Sequence, residues 1–245
     1  MRPPPDSIAL RGGTDEWTYR QLHRASGGYA GALAAAGLSP GDRVLLAAPS
    51  VPEFVVAYLG IQAAGCVVVP VNTMSTRAEV EYVLGDAACS LAIAWHVLGS
   101  AVAEAATALD VPFWTLTPGA SVTGATPADV VDRDRDATAA ILYTSGTTGP
   151  PKGAQLTVGN LLSAGEIGAE CSRTSSADRI GSGLPLFHVF DQASVLMGSA
   201  YKIPRIVRFV DALPKGPTGK ILKRAVDRSV LTRDIALGDV AAGRR

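Results

Sequence analysis

Ala139-Ala140-Ile141-Leu142-Tyr143-Thr144 runs without interruption into Ser145-Gly146-Thr147-Thr148-Gly149-Pro150-Pro151-Lys152-Gly153. The first six residues are apolar or β-compatible and read as a buried strand. The glycines that follow let the backbone approach a ligand closely and adopt positive φ. Successive N–H groups, with the hydroxyls of Thr144, Ser145, Thr147 and Thr148, can donate to phosphate oxygens. Lys152 adds a positive charge. A Walker A loop does not fit, because it needs Gly-Lys-[Ser/Thr] at its end and Gly149 is followed by Pro150-Pro151-Lys152.

Upstream, helix and strand signals alternate. Thr18-Tyr19-Arg20-Gln21 is a capping-box pattern and opens a helix with Leu22, Ala25, Tyr29 and Leu33 on one face, ending at Gly37. Residues 43–48 read as a buried strand. Ser50 is placed to cap the next helix, with Pro52 in its first turn and Glu53 three positions on. That helix ends at Gly65, and the β-branched run 66–71 is the next strand. Thr76-x-x-Glu79 is a second capping box, opening a helix to about Gly85. A strand at 90–94, an alanine-rich helix at 97–109 and a weaker strand at 111–116 follow. Residues 118–136 read as a loop, with Asp132-Arg133-Asp134-Arg135-Asp136 as a solvated surface run. Alternation of this kind predicts an α/β fold with a mostly parallel sheet flanked by helices.

Downstream, 154–156 reads as a strand and Thr157 as the cap of a helix to about Glu170. A strand weakened by Gly181, Ser182 and Gly183 is expected at 179–184. Pro185-Leu186-Phe187-His188 comes next, then a discontinuity near Gly198-Ser199-Ala200. A short strand at 206–210 precedes a second glycine-lysine loop, Leu213-Pro214-Lys215-Gly216-Pro217-Thr218-Gly219-Lys220, and a basic helix from Thr218 onward. This loop also fails the Walker A pattern, since Ile221 follows Lys220.

Lys+Arg and Asp+Glu both number 22 in 245 residues, which argues against a nucleic-acid partner. Hydrophobic residues make up 47% and charged residues 18%, enough for a buried core. Cys66, Cys89 and Cys171 form no CxxC pair, so a zinc site or disulfide framework is not expected. The N-terminus has no apolar run of the signal-peptide kind. The most apolar stretch, 44–71, is broken by Pro49, Pro52, Glu53 and Gln62 and does not read as a membrane span. These features point to a cytoplasmic protein, with peripheral membrane contact left open.

The motifs resemble those of the adenylate-forming, or AMP-binding, enzymes, and within them the fatty acyl-CoA ligases. Residues 143–153 are similar to that family's phosphate loop, and 185–188 to its next motif. Residues 201–205, 209–215 and 218–224 are similar to its C-terminal lid, and Trp17-Thr18-Tyr19 and Gly41-Asp42-Arg43-Val44 to its N-terminal region. The resemblance implies a two-step reaction: a carboxylate attacks the α-phosphate of ATP to give an acyl-adenylate and pyrophosphate, and the thiol of CoA then displaces AMP. It implies ATP, Mg2+ and CoA as cofactors and a carboxylic acid, a fatty acid by the 188–190 and 214–220 contexts, as substrate. By the same resemblance, Thr144, Ser145, Gly146, Thr147, Thr148, Gly149 and Lys152 bind the nucleotide phosphates. Lys220 reaches the carboxylate and α-phosphate, and His188 borders the acyl and nucleotide pocket.

The resemblance also implies a gap. Between Gln192 and Tyr201 the family carries the segment that holds the base, the ribose, the metal and the hinge, and no counterpart stands here. Asp178 and Asp191 are the nearest acids, in the wrong contexts. The expected organisation is a truncated N-terminal region, 1–197, joined to a remnant of a small α+β lid, 198–245. Three readings follow: an impaired ligase, a non-catalytic nucleotide- or phosphate-binding paralogue, or a degenerate relic. Apolar surface left uncovered by the deletion would favour self-association.

Overall fold

A computed structural model describes residues 4–12, 15–119, 126–144, 150–172, 185–188, 206–209 and 233–236, with Asp15, 168–172, 206–209 and 233–236 described as backbone only. The expected strand at 179–184, the basic helix from Thr218 and the Cys171 side chain lie outside the described residues. The chain divides into two units, Met1–Tyr201 and Lys202–Arg245.

The first unit is built on a six-stranded sheet of order β6-β5-β3-β4-β7-β8. Its strands are β3 (Arg43–Ala47), β4 (Val67–Pro70), β5 (Leu91–Trp95), β6 (Phe113–Leu116), β7 (Thr138–Thr144) and β8 (Lys152–Thr157). Every pairing is parallel except β7 with β8. The helices are α1 (Tyr19–Ala35), α2 (Pro52–Ala63), α3 (Arg77–Asp86), α4 (Ser100–Ala108) and α5 (Val158–Ser172). The α/β reading with a mostly parallel sheet is therefore what the structure shows.

The composition of β3 explains the layering. Val44 and Leu46 point into the core shared with Tyr29 and Leu33 of α1 and with Phe54 and Ile61 of α2. Leu45 and Ala47 point into the opposite core, with Val80 and Leu84 of α3 and Val102 of α4. A central strand covered on both faces must be apolar at successive positions, and this one is. Burying each large aliphatic or aromatic side chain contributes roughly 1.5–3 kcal/mol.

Both capping boxes form. The Thr18 hydroxyl accepts from the Gln21 N–H while the Gln21 side chain accepts from the Thr18 N–H, and Thr76 and Glu79 repeat the pattern. Thr157 pairs with Asn160 in the same reciprocal way at the start of α5.

Three readings need correction. The cap of α2 is Val51, with no side-chain cap bond, because the Ser50 Oγ accepts instead from the Leu186 N–H at 3.0 Å. Arg133 is not a solvated surface residue. Its guanidinium turns inward and donates to the carbonyls of Cys66 and Thr138 and to Gln62 Oε1, joining the start of β7 to the α2–β4 connection. An N-terminal hairpin, β1 (Ile8–Gly12) with β2 (Asp15–Thr18), was not expected.

The second unit is described only at β9 (Ile206–Phe209) and β10 (Arg233–Ala236), an antiparallel pair. The first matches the expected strand at 206–210. The second carries Asp234 next to Arg233 and gave no strand signal.

Burial pushes the Cys66 thiol up to about 11 and the Cys89 thiol up to about 12. In the unfolded chain both ionise near 8.5. Their contribution to stability is therefore complete below that value and is lost as pH rises through about 11 for Cys66 and about 12 for Cys89. Iodoacetamide at pH 8 is expected to leave both unmodified until denaturant is added, as read by peptide mass spectrometry.

Candidate phosphate-binding site

The strand β7 and its partner β8 form a hairpin, and the glycine-rich segment is the connection between them. Thr144 pairs with Lys152 and Tyr143 with Gly153, and the ladder continues to Thr138 opposite Thr157. Because β3, β4 and β7 run parallel, the loop leaves the sheet at the carboxyl edge. Thr144 and Lys152 are exposed there and stand across from each other. Ser145, Gly146, Thr147, Thr148 and Gly149 lie outside the described residues, as does Lys220.

The Pro185–His188 turn reaches the same edge. Its His188 N–H donates to the Pro185 carbonyl, Leu186 is buried in the core beside α2, and Phe187 packs against that core. The Leu186 N–H bond to Ser50 fixes the turn just beyond the end of β3. His188 itself is exposed. In sheet order β3 and β7 are separated only by β4, about 10 Å at the usual strand spacing. The carboxyl edge of the sheet thus gathers Thr144, Lys152 and the His188 turn, where open α/β sheets bind ligands.

The residues flanking the glycines, Tyr143 and Pro151, are both tied to α3. The Tyr82 hydroxyl donates to the Pro151 carbonyl at 2.9 Å, and the Tyr143 hydroxyl donates to Asp86 Oδ2 at 2.6 Å. The two rings meet edge to face with centroids 6.2 Å apart. Burial, then the bond to Asp86, raises the pKa of the Tyr143 phenol, so it remains a protonated donor. A Cβ on Gly153 would come within 2.9 Å of the Ile141 side chain and 3.1 Å of the Tyr143 ring, so only glycine lets that ring lie across the hairpin. Tyr82 and Asp86 carried no signal in the sequence, because each looks like a polar residue on an amphipathic helix.

A cleft of about 700 Å3 runs along the β7–β8 face towards Tyr143 and Gly153. Its two guanidiniums donate mainly to backbone carbonyls: Arg43 to Gly41, Ala87 and Ala88, and Arg133 as described above. We read it as a seam of the fold. No group of three His, Cys, Asp or Glu side chains suited to a metal comes together among the described residues. None of the described helices is long and apolar enough to cross a membrane.

A family model described as "AMP-binding enzyme" matches residues 1–216. A sulfoacetate–CoA ligase of Cupriavidus necator is 34% identical over 180 residues, covering 70% of this chain and 35% of that protein. A long-chain-fatty-acid–CoA ligase of Mycobacterium tuberculosis is 32% identical over 190 residues, covering 74% of this chain and 38% of that protein. The crystal structure of ATP-bound MatB from Rhodopseudomonas palustris superposes with a TM-score of 0.72 at 33% identity, over 80% of this chain and 41% of that one. The chain spans well under half the length of each.

Proposed function

The chain belongs to the AMP-binding enzyme family, and from that premise we propose that it is an ATP-dependent acid–thiol ligase by descent, whose retained chemistry is the grip on the nucleotide phosphates. The observation that carries this reading is the hairpin itself: a hydroxyl- and glycine-rich loop at the carboxyl edge of a parallel sheet, with Thr144 and Lys152 at its two ends.

In the reaction so inferred, the carboxylate attacks the α-phosphorus of ATP and pyrophosphate leaves. The thiol of CoA then attacks the acyl carbon and AMP leaves. Thr144, the loop N–H groups and Lys152 donate to the β- and γ-phosphates, which bear the charge that leaves with pyrophosphate. Preorganised donors of this kind act by electrostatic stabilisation and positioning. Lys220 serves the carboxylate and α-phosphate, and His188 borders the acyl pocket. Magnesium enters as its complex with ATP.

Sulfoacetate and long-chain fatty acids, named for two relatives, differ in size and polarity, so the acid class rests on local context. We assign a fatty acid from the His188-Val189-Phe190 and 214–220 contexts. Residues 1–197 are taken as the truncated N-terminal region and 198–245 as the lid remnant. The close spacing of the two glycine–lysine loops along the chain supports impaired turnover, and it favours a phosphate-binding paralogue as the second reading. The half-exposed Leu162 and Ile167 on α5 support self-association, which light scattering reads.

The test is ATP–pyrophosphate exchange with a panel of fatty acids, aromatic acids and sulfoacetate, alongside mass spectrometry for acyl-CoA. Exchange stimulated by a fatty acid, without thioester and lost in Lys220→Ala, is expected. Absence of exchange with every acid favours the paralogue and relic readings. Abundant acyl-CoA that is lost in Lys220→Ala overturns the claim of impairment.

A further inference from the structure

We infer that Tyr82 and Asp86 of α3 are positioning residues that fasten Pro151 and Tyr143, and so place Lys152 and Thr144 for a polyphosphate. The inference rests on the reading of the 144–153 string as a phosphate grip.

One hydrogen bond falls on the residue just before the first candidate ligand and the other on the residue just before the last. Tyr143, bonded to Asp86, immediately precedes Thr144. Pro151, bonded to Tyr82, immediately precedes Lys152. Both partners come from one helix, four residues apart, which is about 6 Å of helix rise. The same helix face therefore meets the outgoing and the returning limb.

The returning limb has a particular need for such a bond. Pro150 and Pro151 carry no N–H, so neither can donate to the β7 ladder. A backbone with no donors can be tied down only through its carbonyls, and Tyr82 supplies a donor to one of them. The edge-to-face contact between Tyr82 and Tyr143 couples the two ties.

The helix is a firm base for this purpose. Val80, Val83 and Leu84 are buried in the core, and the Thr76–Glu79 capping box closes its N-terminus. Tyr82 and Asp86 touch no ligand directly in this arrangement. They act through the placement of Thr144 and Lys152, which would otherwise sample orientations unsuited to the phosphate oxygens.

The experiment compares the unaltered chain with Tyr82→Phe, and with Asp86→Ala as a second variant. Phenylalanine keeps the ring contact and removes only the hydroxyl. Hydrogen exchange of individual amides is followed by NMR without ligand, magnesium pyrophosphate affinity by calorimetry, and melting temperature by circular dichroism. Tyr82→Phe is expected to speed exchange three- to tenfold, as an order of magnitude, at the loop end of the hairpin around Thr144 and Gly153. The Thr138–Thr157 end is expected to be unchanged. Pyrophosphate affinity falls by a similar factor while the melting temperature holds.

Unchanged exchange at the loop end, equal acceleration at both ends, or unchanged affinity in a chain that binds pyrophosphate would each overturn the inference. If the unaltered chain binds no pyrophosphate, the phosphate reading fails, and the exchange gradient alone decides whether α3 fastens the loop.

Discussion

Gly60→Ala is expected to destabilise the first unit by about 3 kcal/mol or more, the upper range for overpacking a core. A Cβ built on Gly60 would lie 2.4 Å from the Tyr29 Cβ and 3.0 Å from the Ser26 carbonyl oxygen. Both neighbours belong to α1, and Tyr29 is buried under Trp114, whose ring it meets edge on at 6.2 Å. Relief would require α1 and α2 to separate along their whole contact. A Cβ on Gly31 would meet the Thr126 carbonyl oxygen at 2.0 Å, a backbone contact, so Gly31→Ala is expected to destabilise as well. Gly85→Ala provides the opposite sign: nothing lies within 4 Å of its Cβ, and alanine gains up to about 1 kcal/mol over glycine inside a helix. Urea unfolding reads both. A Gly60→Ala midpoint equal to that of the unaltered chain would contradict the packing described.

Magnesium ATP is expected to raise the melting temperature of the unaltered chain, and Lys152→Ala is expected to remove that rise. The ammonium is the only fixed positive charge within the 143–153 string. A charge-assisted hydrogen bond to a phosphate contributes about 1.5–3 kcal/mol, equivalent to roughly ten- to a hundredfold in affinity. Lys152 is exposed at the end of β8 and takes no part in the core, so the variant should fold as well as the parent without ligand. Loss of stability without ligand, or a retained shift with it, would show that Lys152 does something else.

The α/β layering was legible because each signal was local. Capping boxes span four residues, and an apolar run such as Val44-Leu45-Leu46-Ala47 declares a strand covered on both faces. The strand entering the glycine loop was legible for the same reason. What escaped notice depended on contacts across the chain. Ser50 looks like a cap until Leu186, 136 residues away, supplies an N–H for its hydroxyl. Arg133 looks solvated within an alternating charge run, yet Cys66 and Thr138 present carbonyls to it. Tyr82 finds the Pro151 carbonyl 69 residues on, and Asp86 finds Tyr143 57 residues on. No pattern along α3 announces either bond, since the same residues would also suit a helix facing water.

The motif strings identified the loop, and the fold supplied its setting. Thr144 and Lys152 are opposed at the carboxyl edge of a parallel sheet, with the Leu186 turn nearby and α3 beneath. We propose that this geometry suffices for phosphate binding without a complete nucleotide pocket. Calorimetric titration of the unaltered chain with magnesium pyrophosphate tests that claim most directly. The account predicts saturable one-to-one binding that requires magnesium. The absence of binding at millimolar ligand by a folded chain would contradict it.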